Sequence, residues 1–229
     1  MKIALIGCDG FVGLNIKKHL LMTNNENYFF NRNNYHENIN YSFDIVINAA
    51  MPSKRFWAKN NPDLDYIETV EKTFKIINDW KFKKIIHISS VSARCQLDTV
   101  YGLNKLKSEQ VCTKAFEHLI IRLGPMYGEN LTKGVLIDII KNQEVFVDGQ
   151  SKYSFTKIDW IGEWIVKNLD KKGMYEIGAN DYIKLSDLAK KLNSKSKFSG
   201  SLDDQIILNC NDYPGSSIDV VTFLNSNIL

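Results

Sequence analysis

The sequence predicts an α/β protein, a Rossmann-type doubly wound parallel sheet with helices on both faces. Short apolar runs rich in β-branched residues alternate with longer stretches of helical periodicity, the order that builds a parallel sheet. The first run, Lys2 to Ile6, passes straight into the glycine-punctuated turn Gly7-Cys8-Asp9-Gly10-Phe11-Val12-Gly13 and then an amphipathic stretch ending at Leu20. Small residues close the later runs at Ala49, Ser90 and Gly124, and right-handed crossovers gather such strand ends on one edge, where ligands bind.

Each element has its own justification. Lys2 to Ile6 lacks alternation, as a strand buried on both faces does. In the turn after it, glycine permits positive φ and a close ligand approach. The free N–H groups and positive dipole end of the following helix receive an anion. Tyr28 to Phe30 reads as a second strand ending in Asn31-Arg32, and 33–40 as a polar loop. A third strand runs from Phe43 to Ala50. Asn61-Pro62 opens a helix expected over 63–80, with Ile67, Val70, Phe74, Ile76 and Ile77 as its apolar side. A strand at 83–90, a helix at 101–116 and a strand at 118–123 complete a dinucleotide-binding domain of residues 1–124.

Residues 125–229 are expected to form mainly a substrate-binding region, with strands or helices free to return to the first domain and segments covering the cofactor edge as a lid. Helices are expected at 135–140, 158–169 and 186–192, the last capped by Ser186, and strands at 145–147 and 174–177.

The 229 residues, 44% of them hydrophobic, suffice for one sizeable core. A net charge of +3 without like-charge blocks supports no nucleic-acid partner. No apolar run reaches the length of a membrane span, and the first residues lack the pattern of a signal peptide. A cytoplasmic location is expected. Cys8, Cys95, Cys112 and Cys210 show no metal-ligand spacing, so no metal is expected.

Tyr101 and Lys105 stand four positions apart at a helix start and therefore share a face. A lysine cation beside a phenol favours the phenolate and draws its pKa from about 10 towards the range useful for proton transfer. Ser89-Ser90, closing the preceding strand, offers a hydroxyl to a substrate oxygen beside that tyrosine. The Tyr-x-x-x-Lys spacing alone is common on solvated helix faces; the glycine turn, the serine strand end and this helix gain weight together.

These residues resemble the extended short-chain dehydrogenase/reductases, the NAD(P)-dependent sugar-nucleotide epimerase/dehydratase group. GCDGFVG is similar to that group's GxxGxxG turn, Asn48-Ala49-Ala50 to the segment after its fourth strand, and HISSVSA (87–93) to its serine strand. YGLNKLKSE (101–109) resembles its Tyr-x-x-x-Lys helix, Arg122 to Gly128 its R-x-x-x-x-Y-G turn, and Phe155 to Trp164 its later substrate-side segment.

The resemblance implies Ser90, Tyr101 and Lys105 as the catalytic set. It implies cofactor contacts from Gly7, Gly10, Phe11, Val12, Gly13, Asn31, Arg32, Asn48, Ala49, Ala50, Tyr101, Lys105, Pro125 and Met126. The implied activity is hydride transfer to or from a carbinol or keto carbon of a nucleotide-linked sugar, of the kind used in cell-surface polysaccharide biosynthesis, in a possible homodimer paired through the helix carrying Tyr101.

Departures from the family pattern sharpen this. Arg32 replaces an acidic residue for a ribose 2′-hydroxyl and favours NADP over NAD. Thr69 stands for the family's usual Asn, and Pro125 for an Asn that meets the diphosphate. Val91-Ser92 replaces the Asp-Glu pair of the dehydratases, leaving reduction or epimerisation. The rival reading is a non-catalytic NAD(P)-binding sensor of the same fold. His87, Trp160 and Trp164 are read as packing, Cys95 as inert, and Lys54-Arg55 as solvated charges that could meet a phosphate.

Overall fold

The computed structural model describes residues 1–37, 40–208, 210 and 212–227. Its strands are β1 (Lys2–Ile6), β2 (Glu26–Phe30), β3 (Ser42–Asn48), β4 (Lys81–Ser90), β5 (Glu117–Leu123), β6 (Met126–Tyr127), β7 (Lys152–Tyr153), β8 (Thr156–Lys157), β9 (Gly173–Ile177) and β10 (Ile183–Lys184). Its helices are α1 (Phe11–Leu20), α2 (Arg55–Asn60), α3 (Pro62–Tyr66), α4 (Lys72–Asp79), α5 (Ser92–Cys95), α6 (Val100–Cys112), α7 (Val135–Ile140), α8 (Ile158–Lys167), α9 (Leu185–Lys191) and α10 (Asp219–Asn227), with a π turn, Ile67–Glu71, between α3 and α4.

The chain forms two units: Met1–Arg122 with Gly162–Tyr175, and Leu123–Ile161 with Glu176–Leu229. The first is built on a six-stranded sheet of order β2-β1-β3-β4-β5-β9. β1 pairs in parallel with β2 and β3, and β3 with β4. In this register Ile6 stands opposite Phe30 and Asn48, and Asn48 opposite His87. Gly7, Asn31 and Ala49 therefore leave the sheet at one level, and Ser90 ends β4 at the same edge.

Ile3, Ala4 and Leu5 are fully buried, as the uninterrupted apolar run required. Phe30, Phe43 and Trp80 form an aromatic knot, the Phe30 and Trp80 rings edge-on at 4.8 Å. The returning segment is pinned through Lys84, whose buried ammonium donates to the carbonyl oxygens of Leu169 (2.6 Å) and Lys171 beyond the C-terminus of α8.

Several expectations are corrected. The helix expected over 63–80 is broken by the π turn, which adds a residue to its winding. The buried side consequently carries Asp65, Thr69, Val70, Thr73 and Ile76, while Ile67 and Phe74, expected inside, are 41% and 52% exposed. α6 ends at Cys112 because 113–116 turns away, and α2 and α5 were not foreseen. Residues 145–147 form no strand; Val145 makes only an isolated bridge with Phe198. Ser186 lies inside α9 rather than capping it, since β10 runs directly into the helix and the Ser186 N–H is bonded to the Gly149 carbonyl at 2.8 Å.

The second unit packs Tyr127, Leu136, Ile139, Tyr153, Phe155, Leu185, Leu188 and Leu224 into its own core. Two short ladders brace it, β7 with β10 antiparallel and β6 with β8 parallel. Among the described residues no helix is long and apolar enough to cross a membrane, and no cluster of His, Cys, Asp or Glu is arranged to hold a metal ion.

Candidate active site

The turn after β1 is shaped for a ligand backbone to approach. Gly7 sits at φ +87°, and a Cβ there would lie 2.7 Å from Ala49 and Ala50 backbone atoms. A Cβ on Gly13 would fall 2.0 Å from the Gly7 carbonyl oxygen. Both positions demand glycine, one for its backbone angle and both for space. Gly10 precedes α1 in extended conformation, with no side chain capping the helix and no acidic residue in its first turn. The first helical bond runs from Leu14 N–H to the Gly10 carbonyl at 2.7 Å, so the N–H groups of Phe11, Val12 and Gly13 are the helix's unpaired donors. That geometry receives a phosphate.

Asn31, at the end of β2, donates to Asp9 at 2.8 Å and accepts the Asn33 N–H at 2.9 Å. The Asn31 amide, followed by the Cys8 thiol, holds the Asp9 carboxyl below its usual range. Arg32 beside it is exposed. Ala49 and Ala50 are half-buried at the same edge. The Asn48 side chain is withdrawn from it: its oxygen accepts the Ala50 N–H at 3.2 Å, while its amide faces the Thr73 hydroxyl at 3.4 Å and His87 at 3.3 Å.

Ser90, Tyr101 and Lys105 come together in the first unit. Thr99 caps α6 by accepting the Gly102 N–H at 3.0 Å. A Cβ on Gly102 would lie 2.1 Å from the Gln96 carbonyl oxygen, so glycine is what lets α6 start this close to the turn after α5. Tyr101 is 8% exposed and hydrogen-bonded with Ser90, and the Lys105 ammonium stands 5.3 Å from the centre of its ring. The two serines of β4 divide their work. Ser89 donates to buried Glu109 at 2.5 Å, and Arg122 grips the same carboxylate with two bonds of 2.9 and 2.7 Å. Ser90, half-buried, is the one beside the phenol.

The electrostatics differ from the sequence expectation. Burial pushes the Tyr101 phenol up to about 12, and the opposing influences are the Arg55 charge and the Ser90 hydrogen bond rather than Lys105. Burial also pulls Lys105 down to about 8, against the pull of Asp65 and Glu109. His87 is fully buried and driven down to about 3, so it is a neutral packing residue. Its tautomer follows from its neighbours: Ser108 spends its proton on the Lys105 carbonyl at 2.7 Å, so His87 Nε2–H donates to Ser108 at 3.0 Å and Nδ1 accepts from Asn48. A polar chain thus runs from the end of β3 through β4 to the backbone of Lys105.

Asp65 was not among the expected site residues. It is 1% exposed and takes a 2.9 Å hydrogen bond from Asn104. Its signal was an acid on the side of a helix that proved to be buried. Arg55, read as a solvated charge that could meet a phosphate, is felt at the phenol.

Pro125 and Met126 belong to the second unit, Met126 in β6. That unit has its own cavity of about 480 Å³, lined by Tyr127, Lys157, Trp160, Tyr213 and Asp219 among others. Trp160 stands edge-on to Tyr213 at 4.9 Å. Trp164 is buried against Tyr175, in the first unit. Cys95 is exposed and reduced.

The first unit is a Rossmann-type sheet with a glycine turn after β1 and a Ser90/Tyr101/Lys105 cluster after β4. Known structures narrow the fold. The chain is similar to a dTDP-4-dehydrorhamnose reductase from Clostridium acetobutylicum at 16% identity and TM-score 0.79, with 99% of each chain covered. It is similar to the Bordetella bronchiseptica enzyme WbmG, solved with NAD and UDP, at 12% identity and TM-score 0.80, covering 98% of this chain and 92% of that one. A UDP-galactose 4-epimerase matches at 17% identity and TM-score 0.76 over 96% of each chain. No family model matches the sequence. No curated protein matches it either. The chain therefore has the fold shared by sugar-nucleotide reductases and epimerases, the fold implied by the sequence resemblance.

Proposed function

We propose that this protein is a nicotinamide-dependent oxidoreductase of the extended short-chain type, reducing or epimerising a keto or hydroxyl carbon of a nucleotide-linked sugar. The observation that carries the reading is the convergence of Ser90, Tyr101 and Lys105 beside a glycine turn with no room for side chains at Gly7 and Gly13. The N–H groups of Phe11, Val12 and Gly13 would hold the pyrophosphate, Lys105 would reach the ribose, and a bound nicotinamide supplies or accepts the hydride. WbmG was solved with NAD, and another similar structure is described as an NAD-dependent NDP-hexosamine 5,6-dehydratase, which supports a nicotinamide here.

The chain's own groups handle the proton. A phenol held near 12 is protonated at neutral pH, so Tyr101 is set to donate to a carbonyl oxygen in the reductive direction. Ser90 orients that oxygen, and Arg55 and Ser90 together ease the phenolate that remains. We assign recognition of the sugar nucleotide to the second unit, the residues from 125 onward in the sequence reading. Arg32 at the end of β2 favours the 2′-phosphate of NADP. Asp9, held ionised by Asn31, opposes it and keeps NAD in play. The fold neighbours and the absence of a spanning helix among the described residues fit a cytoplasmic enzyme.

The test is a screen of keto-sugar nucleotides that reads NADPH and NADH consumption, with product stereochemistry by NMR. Tyr101→Phe should bind cofactor normally and lose turnover by about 10²- to 10⁴-fold. Retained turnover in that variant would remove Tyr101 from the chemistry. Cofactor binding with no turnover on any substrate would favour the sensor reading.

A further inference from the structure

We propose that Asp65 is the positioning residue for Lys105, a buried carboxylate whose negative charge keeps the lysine ammonium charged inside the fold. The proposal builds on the reading above only in the role given to Lys105.

Four observations lead to it. Asp65 is 1% exposed, and a buried carboxylate needs a compensating partner. Asn104 satisfies one oxygen at 2.9 Å, but the other, Oδ1, is buried with no hydrogen-bond partner. The neighbour of Asn104 on α6 is Lys105, 4% exposed; burial pushes the Asp65 carboxyl up, against the Asn104 hydrogen bond and the Lys105 cation, while Asp65 in turn opposes the loss of the Lys105 proton that burial favours. Among the described residues, the Lys105 ammonium makes no direct hydrogen bond or ion pair that would hold its charge instead.

The remaining charges around Lys105 are committed elsewhere. Glu109, one turn along α6, is neutralised by the two bonds from Arg122. His87 on β4 is neutral and disfavours the lysine charge no further. Tyr101 is protonated, and Arg55 on α2 is itself a cation. Among the described residues, the carboxylates whose charge is felt at Lys105 are Asp65 and Glu109, and Asp65 is the one that no cation already grips. It stands in the short helix α3 that Pro62 opens, and the π turn that follows carries Thr69, whose buried hydroxyl also lacks a partner, onto the same buried side one turn later. Without the Asp65 charge, burial alone would deprotonate Lys105 near neutral pH and remove the cation from the site.

The experiment titrates Lys105 directly, in the whole protein and without cofactor or substrate. Protein labelled with ¹³Cε-lysine is followed by NMR from pH 6 to 11, the Lys105 resonance being the one lost in Lys105→Arg. The wild type should titrate near 8, and Asp65→Asn should lower the midpoint by about one pH unit or more. Asp65→Glu should restore most of it, and Glu109→Gln should move it less than Asp65→Asn does. An unchanged midpoint in Asp65→Asn, or a larger shift in Glu109→Gln, overturns the proposal. If Asp65→Asn does not fold, the reciprocal measurement decides: the Asp65 carboxyl should titrate higher in Lys105→Met than in wild type, and an equal value refutes the coupling. None of these readouts requires nicotinamide binding, so a failure of the redox reading and a failure of this one are separate results.

Discussion

Gly13 makes the strongest residue-scale demand in the molecule. Its missing Cβ would sit 2.0 Å from the Gly7 carbonyl oxygen, a distance that only movement of the loop relieves. Gly13→Ala should therefore weaken NADH and NADPH binding by about tenfold or more, equivalent to 1.4 kcal/mol or above, with the far-ultraviolet circular dichroism unchanged. Equal affinity in titrations of variant and wild type would show that the turn does not carry the phosphate. Arg32 is a second residue-scale case. Exposed next to Asn31 in the chain, it is free to meet a 2′-phosphate, so Arg32→Ala should weaken NADPH about tenfold and leave NADH nearly unchanged. Parallel losses for both cofactors would remove 2′-phosphate recognition from Arg32. These residues were legible in the sequence because each is dictated locally. A glycine in a turn that folds back on its own backbone and an arginine at a strand end need no knowledge of the rest of the chain.

At the scale of elements, legibility fails where one element's winding depends on another. α6 was readable from Tyr-x-x-x-Lys, yet its buried stripe holds Asn104, Lys105, Ser108 and Glu109, which is too polar to show helical periodicity of hydrophobicity. Each of those groups is satisfied or balanced by a partner far away in sequence: Asp65, His87, Ser89 or Arg122. The helix expected at 63–80 was read as unbroken because a π turn leaves no mark in composition. With its extra residue in the winding, Thr69 falls on the buried side with Asp65 of α3, and Ile67 and Phe74 face outward. Leu64, Tyr66, Ile67, Phe74 and Leu103 are all exposed on α3, the π turn, α4 and α6, and Lys107 of α6 lies 5.4 Å from the Tyr66 ring, so these helices are neighbours.

The molecule as a whole rests on a sheet whose edge carries the proposed site and whose interior carries an uncharged histidine. His87 ordinarily titrates at 6.5 and is held down to about 3 by burial. The unfolded chain therefore binds a proton below 6.5 that the folded chain refuses until about 3, and stability from this group falls as pH drops through that window. The slope is up to about 1.4 kcal/mol per pH unit. Urea unfolding at a series of pH values from 7 to 4 should show a shallower loss in His87→Gln than in wild type; equal slopes would mean that the acid sensitivity lies in the carboxylates alone. The parallel sheet with its helices was legible, because strands alternating with helices lead to that architecture, whereas the order of its strands was not read from the sequence. The second unit was less so: β6, β7, β8 and β10 are two residues each, too short to leave a pattern, and α10 was not anticipated.

Everything proposed for the chemistry depends on a nicotinamide cofactor binding at the turn after β1. Fluorescence titration of the wild-type protein with NADH and NADPH tests this most directly. Saturable binding of at least one of them, lost or sharply weakened in Gly13→Ala, is the predicted result. Failure of both to bind at millimolar concentration would contradict the account.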